Sequence, residues 1–222
     1  MHQISNCVYA HDGLLEWDLP TKRLPNPYHD FPYMLIKGVL THDECCAITS
    51  FICDAKEHRT ASLRGGDVDT QIRKTDIYTL PLEYTSLYET RFELLRNEIE
   101  TFFALSLTRS TALQVLGYHE GAFYIKHADD SSELRNSDGN TVGYVSVAPE
   151  RKLSTVLFAN DEFEGGELLF NYLYDEQAQP ITLKPKAGDM IVFLSNPYFS
   201  HEVLPVTKGF RLSLVAWHDA LI

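Results

Sequence analysis

Three positions in the second half of the chain have side chains that can bind a metal together. His127 and Asp129 stand two residues apart in Tyr124-Ile125-Lys126-His127-Ala128-Asp129, and His201 follows the apolar run Met190-Ile191-Val192-Phe193-Leu194. Two histidines and one carboxylate on one face of an ion leave its other positions open. That ligand set suits an oxygen-activating non-haem Fe(II) centre. Ten residues beyond His201 comes Arg211, in Phe210-Arg211-Leu212-Ser213-Leu214-Val215-Ala216-Trp217. On a strand it shares its face with Ser213, Val215 and Trp217. A guanidinium pointing inward among apolar groups needs an anion, because an unpaired buried charge is very costly. Its planar fork grips a carboxylate at two points.

These residues need elements to position them. If His127 and Asp129 lie on a strand, both side chains leave the same face, and Phe123 and Ile125 continue that face into an apolar interior. His201 lies 74 residues further on and must come from a second strand folded back alongside. From residue 112 onward, short apolar runs alternate with turn residues. They include Leu153-Ser154-Thr155-Val156-Leu157-Phe158-Ala159, the stretch 167–174 after Gly165-Gly166, and Ile181-Thr182-Leu183-Lys184 before Pro185. Many short strands of this kind predict a sandwich or barrel. Two facing sheets of a jelly roll bring His127 and His201 together at one open end.

The first half supplies support. Residues 1–30 read as an irregular arm with Pro20, Pro25 and Pro27, holding short strands around Tyr9 and Leu14-Leu15-Glu16-Trp17. A strand over 31–40 leads into Thr41-His42-Asp43-Glu44, which has the form of a capping box. The helix it starts should run to about residue 56, with Cys45, Ile48 and Ile52 on one face. A loop with Gly65-Gly66 is expected over 59–69. A strand over 73–80 ends at Pro81, its basic start facing either a substrate entrance or solvent. A second helix over 84–104 carries Tyr88, Phe92, Leu95, Ile99, Phe102 and Phe103 at helical spacing, a core stripe that should cover the outer face of a sheet. The expected fold is mainly β with N-terminal helices, a double-stranded β-helix (jelly roll) with helices packed on one sheet. Residues 1–111 supply the arm, strands and helices of the same domain, and 112–219 the core.

Composition narrows the partners. A chain of 222 residues at 44% hydrophobic supports one sizeable core. The net charge of −12 and pI near 5.1 disfavour nucleic acid or an anionic membrane as main partner and are compatible with basic substrates. Cys7, Cys45, Cys46 and Cys53 form no C-x-x-C pair, and free thiols in a reducing cytosol are expected. Residues 1–13 lack the apolar core of a signal peptide, and no run of about 18 apolar residues could span a membrane. The expected location is cytoplasmic. Nothing in the pattern sets an oligomeric state.

The stretch from about 112 to 218 resembles the iron- and 2-oxoglutarate-dependent dioxygenases, in particular their prolyl 4-hydroxylase-like branch. The resemblance rests on His127-Ala128-Asp129, His201, Arg211, Tyr118, Glu164-Gly165-Gly166-Glu167-Leu168 and Lys186-Ala187-Gly188-Asp189, in that family's order. It implies that His127, Asp129 and His201 hold Fe(II) and that Arg211 binds the distal carboxylate of 2-oxoglutarate. Tyr118 and Ser213 would add hydrogen bonds, and Leu168 an apolar wall. Trp217 would sit near the iron, in a substrate pocket that also draws on Tyr124 and Arg73. Phe158 stands where many relatives carry a Tyr, which removes one hydrogen bond to the co-substrate. The implied reaction couples decarboxylation of 2-oxoglutarate, to succinate and carbon dioxide, with hydroxylation of a substrate C–H. Ascorbate is the reductant the family implies. The substrate would be a peptide (prolyl or another side chain), a free amino acid or a small molecule. Asp129 argues against the halogenating relatives, which lack that carboxylate. Trp217 stands where nucleic-acid dealkylating relatives repeat an Arg. The other reading is a jelly-roll sensor or binding module that keeps the metal without turnover.

Three further expectations concern the surroundings. Residues 130–150 form a polar insertion with Asp130, Glu133, Asp138 and Glu150, expected to be in part mobile. It would serve either as a lid over the substrate mouth or as a solvated loop without function. Asp130 should be solvated or cap this insertion. His119 and His218 are either spare ligands or polar rim residues.

Overall fold

The structure, a computed structural model, describes residues 1–20, 23–25, 27–54, 59–60 and 72–222. Two antiparallel sheets face one another. The larger runs Met34–Ile36, Met190–Leu194, Arg151–Phe158, Arg211–Leu221, Gln114–Tyr118, Asp76–Tyr78 and Arg59–Thr60, with Ser106–Ser110 paired to the end of Arg211–Leu221. The smaller runs His2–Gln3, Tyr9–Ala10, Leu168–Tyr174, His201–Val203, Phe123–His127 and Arg73–Lys74, with Pro180–Leu183 beside Leu168–Tyr174. This is the double-stranded β-helix. Each sheet takes strands from both halves of the chain, and the buried apolar residues of both halves form one cluster.

Both main helices lie on the outer face of the larger sheet. His42–Asp54 buries Cys45, Ile48 and Ile52, the expected face, and Thr49 Oγ1 donates to the Ala159 carbonyl. Its capping box closes: Thr41 N–H donates to Glu44 at 2.7 Å and Glu44 N–H to Thr41 Oγ1 at 3.3 Å. Leu82–Phe103 buries Tyr88, Phe92, Ile99 and Phe103. Ala104 ends it in the left-handed region, at φ 47°, where its N–H reaches the Glu100 and Thr101 carbonyls. Among the described residues no helix is long and apolar enough to cross a membrane.

Three sequence expectations are corrected, and one is decided between its two alternatives. Residues 14–17 are not a strand: Asp12–Glu16 is a single helical turn capped by His11 Nδ1 on the Gly13 N–H, with Leu14 its buried residue. The expected strand over 73–80 breaks at Thr75, so Arg73–Lys74 joins the smaller sheet and Asp76–Tyr78 the larger. Residues 130–150 build a β-hairpin, Ser131–Arg135 against Thr141–Ser146. Asn136 Oδ1 ties its turn by accepting from the Asp138 and Asn140 N–H groups, and Gly139 takes φ 81°. Composition misled here because a few anchors suffice: Tyr144 is buried, its hydroxyl on Tyr172 and Ser200, and Lys126 holds Glu133 and Thr141. Of the two readings of Asp130, capping holds: it is buried, accepts from Ser131 Oγ at 2.6 Å, and its carbonyl accepts from the Val147 and Ala148 N–H groups where the hairpin ends. Beyond the Arg59–Thr60 strand, the loop expected with Gly65-Gly66, and the helix end near residue 56, fall outside the described residues.

Candidate metal and co-substrate site

The site sits where the smaller sheet meets the open end of the larger one. His127 ends its strand and pairs directly with His201 on the neighbouring strand. Their rings lie 4.3 Å apart. Each ring is oriented by a backbone carbonyl two residues back, His127 Nδ1 on Ile125 at 2.8 Å and His201 Nδ1 on Phe199 at 2.9 Å. An Nδ1–H spent this way leaves the Nε2 lone pair free for a metal. Those Nε2 atoms lie 3.8 and 4.0 Å from the Asp129 carboxylate oxygens. All three donors fall within 4.8 Å of one another, so one ion can sit among them.

Asp129 reaches this position differently from the strand-parity argument. The strand ends at His127, and Asp129 lies in the bend that follows. Ser154 Oγ donates to its Oδ2 at 2.6 Å and is itself linked to Ser195 Oγ at 2.8 Å. Arg151 holds its carbonyl at 3.0 Å. Parity could have found Ser154, since it shares a face with Phe158; Arg151 and Ser195 gave no such signal.

Protonation favours a cation. Burial pushes the His127 pKa down to about 3, with His201 adding to the effect and Asp129 opposing it. The ring is therefore neutral at pH 7. Burial would raise the Asp129 pKa, but His201, His127, Ser154 and Trp217 outweigh it and hold the carboxyl below its ordinary value. A neutral His127 imidazole, an ionised carboxylate and the His201 Nε2 turned towards it fit Fe(II). Ser154→Ala should lower metal affinity by about 10- to 100-fold through loss of the hydrogen bond that orients Asp129, read by competition with a chelating dye.

Arg211 is 1% exposed, and among the described residues no carboxylate pairs with it. Its guanidinium lies 4.7 Å from both the Tyr118 and Phe158 ring centres, so Phe158 contributes an aromatic wall in place of a hydroxyl. Burial lowers the Arg211 pKa against the opposing effects of Tyr118 and Glu167. Among the described residues its Nε has no partner, nor does the fully buried Ser213 Oγ. Together with Tyr118, Leu168 and the three metal donors they line one cavity of about 690 Å³. Orphaned donors around a buried cation fit a small dicarboxylate. The Gly165-Gly166 pair makes room for this. Both take positive φ, a Cβ on Gly165 would lie 2.2 Å from the Pro205 carbonyl oxygen, and one on Gly166 would lie 3.0 Å from Arg211 Cδ.

The remaining residues divide. Tyr124, Arg73 and Trp217 line the same cavity. Tyr124 has the wrong parity to accompany His127, yet its ring stacks on His127 at 3.6 Å. A bulge explains it: His201 pairs with His127 but Val203 pairs with Tyr124, so the two-residue step meets a three-residue one. Arg73 lies over Tyr124 at 4.7 Å, and Arg151 over Trp217 at 4.2 Å. His119 does not line the cavity: its side chain is 60% exposed and bonded to Tyr78.

His218 is neither ligand nor rim. It points away from Trp217, through the sheet towards the Leu82–Phe103 helix, buried between Ser110 and Thr155 and stacked on Phe92 at 4.2 Å. Burial, with Arg96 adding a smaller effect, pushes its pKa down to about 3. The folded state then refuses a proton that the unfolded chain accepts near pH 6.5. Stability is full above that pH and falls as pH drops towards 3, by up to about 1.4 kcal/mol per pH unit for each such histidine. In metal-free protein His127 acts in the same sense, so His218→Phe should halve the slope in urea unfolding measured across this window.

Comparison with known proteins agrees with this geometry. Residues 113–219 match the family model described as the 2OG-Fe(II) oxygenase superfamily. Human prolyl 3-hydroxylase 2 is 42% identical over 67 residues, 30% of this chain and only 9% of that protein. A Pseudomonas putida prolyl-4-hydroxylase structure superposes with a TM-score of 0.63 at 25% identity, covering 86% of this chain and 93% of that one. A prolyl hydroxylase from Trichoplax adhaerens, in complex with a hypoxia inducible factor peptide fragment, gives a TM-score of 0.66 at 17% identity over 84% of this chain and 83% of that one, a likeness of fold. Residues 113–219, which carry the three metal donors and the buried arginine, belong to the 2OG-Fe(II) oxygenase superfamily, and the chain resembles its prolyl 4-hydroxylase-like branch.

Proposed function

We propose that this chain is an Fe(II)- and 2-oxoglutarate-dependent hydroxylase acting on an unactivated C–H of a peptidyl residue, prolyl by analogy with its relatives, or of an amino-acid-like molecule. Succinate and carbon dioxide are the co-products. One observation carries the reading: a single cavity holds His127, Asp129 and His201 together with a buried Arg211 that no protein carboxylate neutralises among the described residues. Bound Fe(II) would supply the activation of dioxygen and the oxidative decarboxylation of the co-substrate.

The protein's part is placement. His127 and His201 present their Nε2 nitrogens, and Asp129 an ionised carboxylate held by Ser154. Arg211 receives the distal carboxylate of 2-oxoglutarate, Ser213 and Tyr118 complete its hydrogen bonds, and Leu168 keeps water from that end. Tyr124 and Trp217 flank the substrate side. The peptide held by the Trichoplax relative supports a peptide substrate here. The 131–146 hairpin, which contributes Ser131, Ser132, Glu133 and Arg135 to the cavity wall, would lie along that peptide as a lid. Ascorbate would keep the iron reduced. Four free thiols support a reducing, cytoplasmic setting. The test is succinate formation from 2-oxoglutarate with a panel of prolyl peptides and amino acids. Iron-dependent succinate that rises with one class of substrate supports the reading, and its absence with Fe(II) and 2-oxoglutarate both bound favours the sensor.

A further inference from the structure

The cavity is more basic than this reaction requires. Its walls carry Arg73, Lys126, Arg135, Arg151 and Arg211 against Asp129 and Glu133, in a chain of net charge −12. Fe(II) and the 2-oxoglutarate dianion would cancel one another, so the positive excess stays with the protein. The compatibility with basic substrates suggested by the net charge is therefore reversed at the site, where the local field attracts anions.

The cations are not equivalent. Glu133 answers Lys126 and Arg135, each at 2.5 Å. Arg211 is committed to the co-substrate in the function proposed above. Arg151 is held by the Asp129 carbonyl and the Trp217 ring. Arg73 remains. It is 7% exposed, and among the described residues its Nε has no hydrogen-bond partner and no carboxylate pairs with it. Its guanidinium lies on Tyr124 at 4.7 Å, and Tyr124 lies on His127 at 3.6 Å, so it stands two stacking steps from a metal ligand. The break at Thr75 puts it there, on the edge strand of the smaller sheet, whereas Arg211 rises from the larger. Stacking steadies the guanidinium plane and leaves its N–H edge free. A cavity of about 690 Å³ has room for a second molecule beside the co-substrate.

We propose that Arg73 binds a carboxylate of the substrate and so selects anionic substrates. This rests on the hydroxylase reading. The carboxylate is either the free α-carboxylate of an amino acid or the side chain of an acidic residue beside the hydroxylated position of a peptide. Both offer the fork two oxygens.

The test is calorimetric titration, under nitrogen, of protein loaded with Fe(II) and 2-oxoglutarate. The probes are the N-acetyl amino acids as free acids and as amides, and capped prolyl peptides with Glu or Gln on either side of the proline. The free acids or the Glu peptides should bind about tenfold or more tightly than their neutral partners. Binding by free acids alone identifies the amino-acid source, and binding by Glu peptides alone the peptide source. Arg73→Gln should abolish the preference, and Arg73→Lys should keep part of it, while 2-oxoglutarate affinity stays unchanged in both. Equal binding of acids and neutral partners, binding of no probe, or a preference that survives Arg73→Gln overturns the proposal. So does a loss of 2-oxoglutarate affinity in Arg73→Gln, which would put Arg73 in the co-substrate site. Failure of the parent protein to bind Fe(II) and 2-oxoglutarate would instead overturn the hydroxylase reading.

Discussion

Asp129→Ala should give a folded protein that no longer holds Fe(II) and forms no succinate. The carboxylate supplies the only negative charge among the three donors, and both histidine Nε2 atoms face it at 3.8–4.0 Å. Removing a group that merely orients a ligand costs about 10- to 100-fold in metal affinity, so removing the ligand itself should cost more than about 100-fold. The fold should survive, because Ser154 keeps Ser195 as a partner and no apolar contact is lost. Unchanged far-ultraviolet dichroism with no saturable Fe(II) binding is the expected pair of results.

Arg211→Ala should spare iron and cripple the co-substrate. Truncating one partner of a buried charge pair costs about 2–5 kcal/mol, roughly thirty-fold to several thousand-fold in 2-oxoglutarate affinity. Arg211→Lys should lose less, since it keeps the charge and forfeits the fork. The apo protein should respond oppositely. Its Arg211 is a buried cation without a carboxylate, so Arg211→Met should unfold at a urea concentration no lower than the parent. A structural ion pair would show the reverse.

The sequence revealed the residue types and their order, because ligand chemistry and strand alternation are local. The His127, Asp129 and His201 triad, the inward face of Arg211, Ser213, Val215 and Trp217, and the buried faces of both helices follow from it. What it concealed lies where alternation is interrupted. The resemblance placed Tyr124 and Arg73 in the pocket, where both lie, but alternation did not show how they reach it: a bulge brings Tyr124 onto the His127 face, and a break at Thr75 puts Arg73 on the edge strand of the smaller sheet. His218 looked like a rim residue beside Trp217, yet neighbours on a strand face opposite sides of the sheet, and its side is the helix layer. The 130–150 segment read as too polar to order because composition counts apolar area and misses a tied turn and one buried tyrosine. Net charge could not report the cavity's sign, since summation discards position.

The most direct measurement is the visible absorption of the protein titrated with Fe(II) and then 2-oxoglutarate in the absence of oxygen. The account predicts a metal-to-ligand band that saturates at one equivalent of each. The band should be absent in Asp129→Ala and should move to far higher 2-oxoglutarate in Arg211→Ala. A parent protein that shows no band, or an Arg211→Ala band that saturates where the parent's does, would contradict it.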